Sequence, residues 1–155
     1  MEVRDAVVED APAACEVMRR SITELCVADH GNEPEFLRRW LANKRPEIVA
    51  RWIAAPHNSV LVAAEGEAIL AVGSVTDAGE ITLNYVSPDV RFQGVSRALM
   101  RALEARAVER GNGECRLFSN ATAFHFYRTA GYRETGPVQV RFGMSSCYPM
   151  VKRLG

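Results

Sequence analysis

A strand, a long helix and a second strand follow one another closely in the middle of this 155-residue chain. The helix is predicted over Val95 to Arg110, where apolar residues recur four positions apart on one face. The β-prone run Glu80 to Val86 precedes it, and Cys115 to Phe118 follows it as a short buried strand. A crossover helix returns the chain to the same end of a sheet, so we expect these two strands to be parallel.

The strand that precedes this helix is the last of three consecutive β-prone runs. Val60 to Val62 and Ile69 to Val72 are joined by a glycine turn at Glu65 to Glu67. Asp77 to Gly79 has the composition of a second turn, and Pro88 ends the third run because proline has no N–H to donate to a ladder. Three short runs joined by tight turns predict an antiparallel meander.

Helical patterns fill the first third of the chain. Asp10 is expected to cap a first helix that ends near Cys26. Asp29 to Asn32 has turn composition, and Asn32 with Glu35 has the spacing of a capping box for a second helix. The remaining predicted elements are a strand at Val3 to Ala6, a helix from Pro46 to Pro56, a helix from Ala121 to Ala130 capped by Asn120, and strands at Val138 to Phe142 and Tyr148 to Lys152. Together the elements predict one mixed α/β domain over residues 1–155.

The charge balance restricts the classes of partner. Nineteen basic and nineteen acidic residues give a formal net charge of +0 with the histidines neutral. Nucleic-acid-binding domains normally carry excess positive charge, so the sequence favours a small-molecule or peptidic partner over nucleic acid. The longest apolar stretches, Val60 to Ala64 and Ala68 to Val72, are far shorter than the roughly 18 residues of a membrane helix. With a charged start that lacks a secretory signal, these features predict a cytoplasmic protein without a membrane partner.

The cysteines and histidines show no metal-ligand spacing. We therefore expect buried thiols and no metal site. The residues concerned are Cys15, Cys26, Cys115, Cys147, His30, His57 and His125.

The loop between the third strand of the meander and the long helix has the chemistry of an anion site. The unpaired N–H groups and positive dipole at a helix start bind phosphate, and Gly94 permits a close backbone approach. Arg97 and Arg101 lie one helical turn apart, where like charges repel. Either a bound anion offsets this repulsion, or both arginines pair on the surface with acids such as Glu104. Arg91 has the same two interpretations.

Two motifs resemble those of a known family. Arg91-x-x-Gly94-x-Ser96 after a strand resembles the acetyl-coenzyme A (acetyl-CoA) signature of the GNAT (GCN5-related N-acetyltransferase) superfamily, in which glycine or alanine usually stands where this chain has Ser96. Asn120 and the segment Ala123 to Tyr132, with its Phe-Tyr pair and Gly-Tyr ending, resemble the second motif of the family. The resemblance covers nearly the full chain.

The resemblance implies a fold and an activity. The fold is a mixed, largely antiparallel sheet of six to seven strands flanked by helices. Glu80 to Val86 and Cys115 to Ser119 would be a splayed parallel pair that admits the pantetheine arm. The implied activity is transfer of the acetyl group of acetyl-CoA to a primary amine by direct attack in a ternary complex. A non-catalytic acyl-CoA-binding sensor or interaction module with the same fold is the alternative.

The resemblance also implies the residues that bind acetyl-CoA. Backbone groups near Tyr85 and Val86 would bond the pantetheine amides, and an N–H at a bulge near Val86 would stabilise the oxyanion. Asn120 would bind from the far side, although a plain helix cap is equally good chemistry for asparagine. The implied cofactor-binding residues are Tyr85, Val86, Arg91, Phe92, Gln93, Gly94, Val95, Ser96, Arg97, Asn120, Phe124 and Tyr127.

Two residues are candidates for proton transfer. Glu80 lies eleven residues before Arg91, the separation at which the histone acetyltransferase branch places its base, and a solvated strand-end carboxylate is the other interpretation. Tyr127 occupies the tyrosine of the Phe-Tyr pair, which in many members protonates the leaving thiolate. A phenol with a pKa near 10 is protonated at neutral pH and suits that role. Packing of an amphipathic aromatic on the sheet is the alternative.

The acceptor is the least specified part. In the family the loop after the first helix lines the acceptor side, and here it is acidic, which favours a cationic amine unless the charges are simply solvated. The acids are Glu24, Asp29, Glu33 and Glu35. Many family members pair through their C-terminal strands, so the resemblance allows a homodimer through the region Val138 to Lys152, while the sequence leaves the oligomeric state open.

Overall fold

The computed structural model describes residues 1–141 and 144–155. Its helices and strands are β1 (Glu2–Asp5), α1 (Ala11–Leu25), α2 (Val27–His30), α3 (Pro34–Leu41), α4 (Pro46–Ala54), β2 (Asn58–Glu65), β3 (Ala68–Thr76), β4 (Ile81–Val86), α5 (Val95–Glu109), β5 (Glu114–Ser119), α6 (Phe124–Thr129), β6 (Arg133–Glu134), β7 (Gln139–Arg141) and β8 (Met144–Arg153). Short 3-10 turns at Val8–Asp10 and Pro88–Val90 precede α1 and follow β4. Within the described ranges, every helix falls short of the length and apolar character that a membrane crossing requires.

Strands β1 to β4 form one antiparallel sheet in chain order, which confirms the predicted meander. The hairpin between β2 and β3 turns at Gly66, whose φ of 60° is open to glycine without strain. In the second sheet β8 lies between β5 and β6 and pairs antiparallel with both. β7 also pairs with β8.

The described residues contain eight strands, one or two more than expected. The additional strand is the two-residue β6, which is too short to show an alternating pattern in the sequence. The runs predicted at Val138 to Phe142 and Tyr148 to Lys152 fall on β7 and β8. Phe142 lies outside the described residues, and β8 begins earlier than predicted, at Met144.

β4 and β5 are parallel neighbours that meet at a single bridge, between Glu80 and Arg116. The N–H of Arg116 donates to the carbonyl of Gly79 at 2.9 Å. Beyond this bridge the described residues of the two strands form no further pairs. The strands therefore part toward their C-terminal ends, as expected for a splayed pair.

Helices pack on both faces of the first sheet. On one face, α5 buries Leu99 and Leu103 against Leu61. On the other face, α1 buries Met18 against Val62. Because side chains alternate along a strand, the adjacent residues Leu61 and Val62 serve two different cores. The first sheet is thus a two-sided platform that holds β4 in place.

Asp10 does not cap α1 as predicted. Its carboxylate accepts two hydrogen bonds from Arg4, at 2.8 and 3.1 Å, and one from the N–H of Val7 at 2.8 Å. The Arg4 guanidinium holds the pKa of Asp10 below its usual range. A charged partner and a nearby N–H thus take the carboxylate away from the helix start.

The capping box predicted at Asn32 and Glu35 is also wrong. α3 begins at Pro34, and its N-terminus has no side-chain cap. The N–H of Asn32 instead donates to Nδ1 of the buried His30 at 2.9 Å. α2 includes Asp29 and His30 of the predicted turn, and Nε2 of His30 bonds the carbonyl of Ile22 at 2.9 Å, which ties this segment to α1. Gly31 and Asn32 form a turn as predicted.

The close approach of α5 to the sheet depends on Gly73 in β3. A Cβ there would lie 2.8 Å from Cδ1 of Leu103 and 3.1 Å from the carbonyl oxygen of Leu83. We expect Gly73→Ala to lower the free energy of unfolding by about 1–3 kcal/mol through overpacking, as measured by urea denaturation. The matched control is Gly113→Ala, where a Cβ meets no atom within 4 Å. Equal effects at the two glycines would contradict the tight packing of α5.

Candidate active site

A cleft of about 730 Å³ opens where β4 and β5 part. Helices α3, α4 and α6 contribute side chains to its walls. Four of the residues singled out from the sequence line this cleft, namely Glu80, Tyr85, Asn120 and Tyr127. The tertiary structure therefore brings the candidate base and the candidate acid to one space.

Tyr127 lies on α6 with 6% of its surface exposed. Its ring packs against that of Tyr132, with 5.7 Å between centroids. Its hydroxyl oxygen accepts a hydrogen bond from Nδ2 of Asn84 at 3.0 Å. Burial raises the pKa of Tyr127 to about 12, and the bond from Asn84 opposes that rise. The phenol is protonated at neutral pH. Because Asn84 donates to the phenol oxygen, the hydroxyl hydrogen of Tyr127 is not bonded to Asn84.

Glu80 lies at the bridge where the cleft begins. Thr76 fixes its backbone, because the Thr76 hydroxyl accepts the N–H of Glu80 at 3.1 Å and the Thr76 N–H donates to the carbonyl of Glu80 at 2.9 Å. Within the described part of the chain, the Glu80 carboxylate has no ion pair and no hydrogen bond. It is therefore available to accept a proton in the cleft.

Alternate residues of β4 present their backbone groups to opposite sides. The N–H of Ser87 donates to the carbonyl of Leu70 in β3 at 2.8 Å. By the alternation of an antiparallel ladder, Tyr85 also faces β3, whereas Val86 turns its N–H and C=O toward the gap beside β5. Of the two backbone positions implied by the resemblance, Val86 thus has groups open to a ligand, and Tyr85 contributes its side chain.

The side chain of Tyr85 joins two walls of the cleft. Its hydroxyl accepts a hydrogen bond from Nε1 of Trp40 at 3.3 Å, and burial raises its pKa. The bulge expected near Val86 lies at Thr82 instead, where the β3–β4 register shifts. The hydroxyls of Thr82 and Ser74 bond each other at 2.5 Å beside that shift.

Asn120 has the role of a cap. Its Oδ1 accepts the N–H of Ala123 at 2.8 Å. α6 begins at Phe124, later than predicted, because residues 121–123 form a turn. The carboxylate of Asp29 accepts the first two N–H groups of that turn at 2.8 and 3.1 Å. The same Asn120 lines the cleft, so capping does not remove it from the site.

The loop between β4 and α5 has an open anion-binding geometry. Gly94 is the N-cap of α5 with a φ of 81°, no side chain caps the helix, and its first turn has no acidic residue. Phe92 has a φ of 67° and is 89% exposed. The uncapped N–H groups of such a helix start bind anions. A Cβ on Gly94 would meet no protein atom within 4 Å, so the positive φ accounts for glycine here.

The arginines near this loop have no partner of opposite charge. Within the described ranges, Arg91, Arg97 and Arg101 form no ion pair. The pairing with Glu104 weighed as an alternative is wrong, because Glu104 binds Nζ of Lys152 at 3.0 Å. Three guanidinium groups thus remain available to an anionic ligand.

Part of the predicted site lies outside the cleft lining. Phe124 packs against Tyr148, with 4.8 Å between ring centroids. The loop residues lie beyond the end of β4: Arg91, Phe92 and Gln93 are exposed, whereas Val95, Ser96 and Arg97 form the first turn of α5. The site therefore has two parts, the cleft and the loop after β4.

The fold of this chain is similar to that of solved structures of low sequence identity. A GCN5-related N-acetyltransferase from Rhodopseudomonas palustris, also described as a class-II aminotransferase, has a TM-score of 0.86 and 22% identity over 99% of this chain and 95% of that one. The PaiA N-acetyltransferase from Thermoplasma acidophilum, in complex with coenzyme A, has a TM-score of 0.82 and 21% identity over 99% and 98%. A ribosomal-protein-alanine N-acetyltransferase from Brucella melitensis has a TM-score of 0.67 and 22% identity over 99% and 100%. These likenesses show the fold.

The family itself is shown by sequence. Residues 20–154 match the family model for the acetyltransferase (GNAT) domain. This chain belongs to the GNAT family. No curated protein sequence matches it significantly.

Two polar residues of this GNAT cleft escaped the sequence analysis. Asn84 stands between apolar strand residues, a pattern that marks a polar group on a buried strand. Its Oδ1 is buried and lacks a hydrogen bond from the described residues. Lys44 lies in a basic segment that resembles a solvated loop, and no sequence signal distinguishes it. In the structure it lines the cleft and is 6% exposed.

The acidic residues that favoured a cationic acceptor do not reach the GNAT cleft. Glu24 and Glu35 pair with arginines on their own helices. Asp29 binds the turn before α6, and Glu33 is exposed. None of these four described residues lines the cleft, so they give no support to a cationic acceptor.

The cysteines are buried as expected. Burial raises the pKa of Cys26 to about 12 and that of Cys115 to about 11, which makes both poor nucleophiles. Among the residues that the structure describes, no three side chains form a group able to hold a metal ion.

Because Lys44 is buried, we expect the free energy of unfolding to depend on pH. Burial lowers its pKa to about 8. The unfolded chain, with a lysine pKa near 10.4, binds more protons between about pH 8 and pH 10.4, so the stability of the folded chain rises with pH in that window. We expect the stability of the wild type relative to Lys44→Met to be constant below about pH 8 and to rise above it, in urea denaturation at several pH values. A flat difference across this range would show that Lys44 titrates normally.

Proposed function

We propose that residues 1–155 form one N-acetyltransferase domain, which transfers the acetyl group of acetyl-CoA to a primary amine by direct attack in a ternary complex. The observation that carries the proposal is the placement of Glu80 and Tyr127 in one cleft. That cleft lies along the half-paired strand β4, which leads to the loop at the start of α5. Membership of the GNAT family supports the activity.

The residues present suit acetyl-CoA. The open N–H and C=O of Val86 match the amides of a pantetheine arm, which would lie along β4 where β5 has parted from it. The N–H groups from Phe92 to Arg97, with Arg91 and Arg101, match its phosphates. Asn120 lies at the opposite wall. The similar PaiA structure contains coenzyme A, which supports the same donor here.

Proton transfer in the cleft follows from two side chains. When bound, acetyl-CoA supplies a thioester carbonyl that an amine can attack. Amines of the lysine type have a pKa near 10.4, so Glu80 takes up their proton, directly or through water. The N–H of Val86 stabilises the negative charge that develops on the carbonyl oxygen. Tyr127 gives its proton to the departing sulfur as the new carbon–nitrogen bond replaces the carbon–sulfur bond.

Asn84 orients the hydroxyl group of Tyr127. Its NH₂ group donates a hydrogen bond to the oxygen of Tyr127. Because this NH₂ group is only a donor, the phenol does not donate its own hydrogen to it. The same bond stabilises the phenolate that remains after donation, and it thereby opposes the rise that burial causes in the pKa of Tyr127. Asn84 is thus a positioning residue for the acid.

Binding of acetyl-CoA tests the proposal directly. At 100 times its dissociation constant, a ligand stabilises the fold by about 2.7 kcal/mol, which corresponds to a rise in Tm of roughly 5–10 °C. We expect this rise in a thermal melt. We expect Arg97→Gln to weaken acetyl-CoA about 10-fold, because a charge-assisted hydrogen bond is lost.

The control for this measurement is Arg153→Gln, an exposed arginine at the end of β8 far from the loop in sequence. Its affinity for acetyl-CoA should equal that of the wild type. An unchanged melt with saturating acetyl-CoA would refute the donor site. A shifted melt without thiol release from any amine would favour the non-catalytic sensor.

Variants of the acid test the mechanism. Tyr127→Phe should keep its affinity for acetyl-CoA and lower kcat by about 10²–10⁴ in a thiol-release assay. Asn84→Asp preserves shape but replaces the donor by a carboxylate that only accepts. Tyr127 would then donate its proton to this carboxylate, and we expect kcat to fall about 10-fold or more at unchanged KM for acetyl-CoA.

The pH profile separates positioning from structure. Protonation of the new carboxyl restores a donor, so the activity of Asn84→Asp relative to wild type should recover as the pH falls. A constant ratio at every pH would mean that Asn84 acts only through packing. Wild-type turnover in Tyr127→Phe would exclude Tyr127 as the acid.

A further inference from the structure

One wall of the cleft is cationic and aromatic. We call it the lysine wall; it consists of Arg39, Trp40, Asn43, Lys44, Trp52 and Asn58. It comes from α3, α4, the segment between these helices and the start of β2. Glu80 is the carboxylate on the cleft lining, and it belongs to the other side, at the bridge between β4 and β5.

The ammonium of Lys44 is buried without a counter-charge. The residue Lys44 is 6% exposed, and among the described residues its Nζ donates a hydrogen bond to Oδ1 of Asn43 at 2.7 Å. No carboxylate of the described chain lies within ion-pair distance of it. An ammonium has three N–H donors, so two remain unused. A buried ammonium without a carboxylate partner is costly, and its cation–π contact with Trp52 offsets only part of that cost, which makes this lysine unusual for a purely structural position.

The backbone of Lys44 is held firmly. Its carbonyl accepts hydrogen bonds from Sγ of Cys15 at 3.1 Å and from Arg19 at 2.9 Å, both on α1. Its N–H donates to the carbonyl of Leu41 at 3.0 Å. The lysine is therefore fixed against the core, as a preorganised binding group requires.

The charges around the lysine wall favour a negative ligand. Arg39 adds a second cation, which forms a long ion pair of 4.0 Å with the exposed Glu35. On α4, Glu47 forms an ion pair of 2.8 Å with Arg45. Nζ of Lys44 lies over the ring of Trp52 in a cation–π contact, 5.9 Å from the ring centroid. The rings of Trp52 and Trp40 also line the cleft and offer apolar surface. A ligand that combines one anionic group with an apolar portion fits these features.

We infer that Lys44 binds a carboxylate of the acceptor, so that the acceptor amine is an amino acid with an apolar side chain. The inference rests on the proposed function, since the same cleft holds Glu80 for the amine. Two free N–H donors suit a single carboxylate. The indoles of the lysine wall cover the apolar side chain, while the amine faces the carboxylate of Glu80.

The test compares acceptors that differ in one charge. Leucine, methionine, phenylalanine and tryptophan are each assayed beside the corresponding amide, with acetyl-CoA and detection of free thiol. For the wild type we expect kcat/KM to favour at least one acid over its amide by about 10- to 100-fold. Lys44→Met should abolish this ratio, and Lys44→Arg should restore part of it.

Two controls keep the result interpretable. Arg45→Met removes a neighbouring exposed cation that does not line the cleft, and it should retain the wild-type ratio. Lys44→Met removes an unpaired buried charge, so loss of folding does not explain its effect, and a thermal melt verifies this. Calorimetric titration of each acid and amide into the complex with coenzyme A reads the same preference without turnover.

The outcomes separate the two proposals. If no amine releases thiol, the proposed function fails, and the titrations still decide whether Lys44 selects a carboxylate. If amides react or bind as well as acids, or if Lys44→Met keeps the preference, the inference is overturned while acetyl transfer stands.

Discussion

The incomplete pairing of β4 organises this protein. Its first edge is bound to β3 along most of its length, whereas its second edge meets β5 at the Glu80–Arg116 bridge and is then left open. An unpaired strand edge inside a fold carries N–H and C=O groups that need partners. Here they face a cleft rather than another strand. The same divergence opens the cleft that Glu80, Asn84 and Tyr127 line, so the open strand edge and the proposed catalytic residues share one structural cause.

The distribution of charge follows a second constraint. The chain has equal numbers of acidic and basic residues, yet its carboxylates are mostly consumed by local contacts. Asp89, in the loop after β4, accepts two hydrogen bonds from Arg20, at 2.9 and 3.1 Å. Glu104 forms an ion pair with Lys152. Among the described cations without an ion pair are those at the loop after β4 and Lys44 in the cleft. These positions suit the proposed donor with its phosphates and the proposed acceptor with its carboxylate.

Much of the fold and part of the site were predictable from local patterns. The meander, the long α5 and the Gly94 turn depend on periodicity and turn chemistry, which act over a few residues and are visible in the sequence. The capping prediction for Asp10 failed because its carboxylate binds the guanidinium of Arg4 and the N–H of Val7. The prediction for Asn32 failed because α3 begins only at Pro34, with Glu33 at its N-cap. Caps are decided by competition among all groups within reach, and the sequence names only the local ones.

The sequence by itself determined the order of the elements and the glycine turn between β4 and α5. It also identified Glu80 and Tyr127 as candidates for proton transfer. Only the tertiary structure decided which side chains share the cleft. It removed the acidic residues after α1 from the site and brought in Asn84 and Lys44, which are 43 and 83 positions from Tyr127. The physical reason is that hydrogen-bonded turns and amphipathic faces are short-range properties. Burial of a charge and divergence of two strands arise only when distant segments pack together.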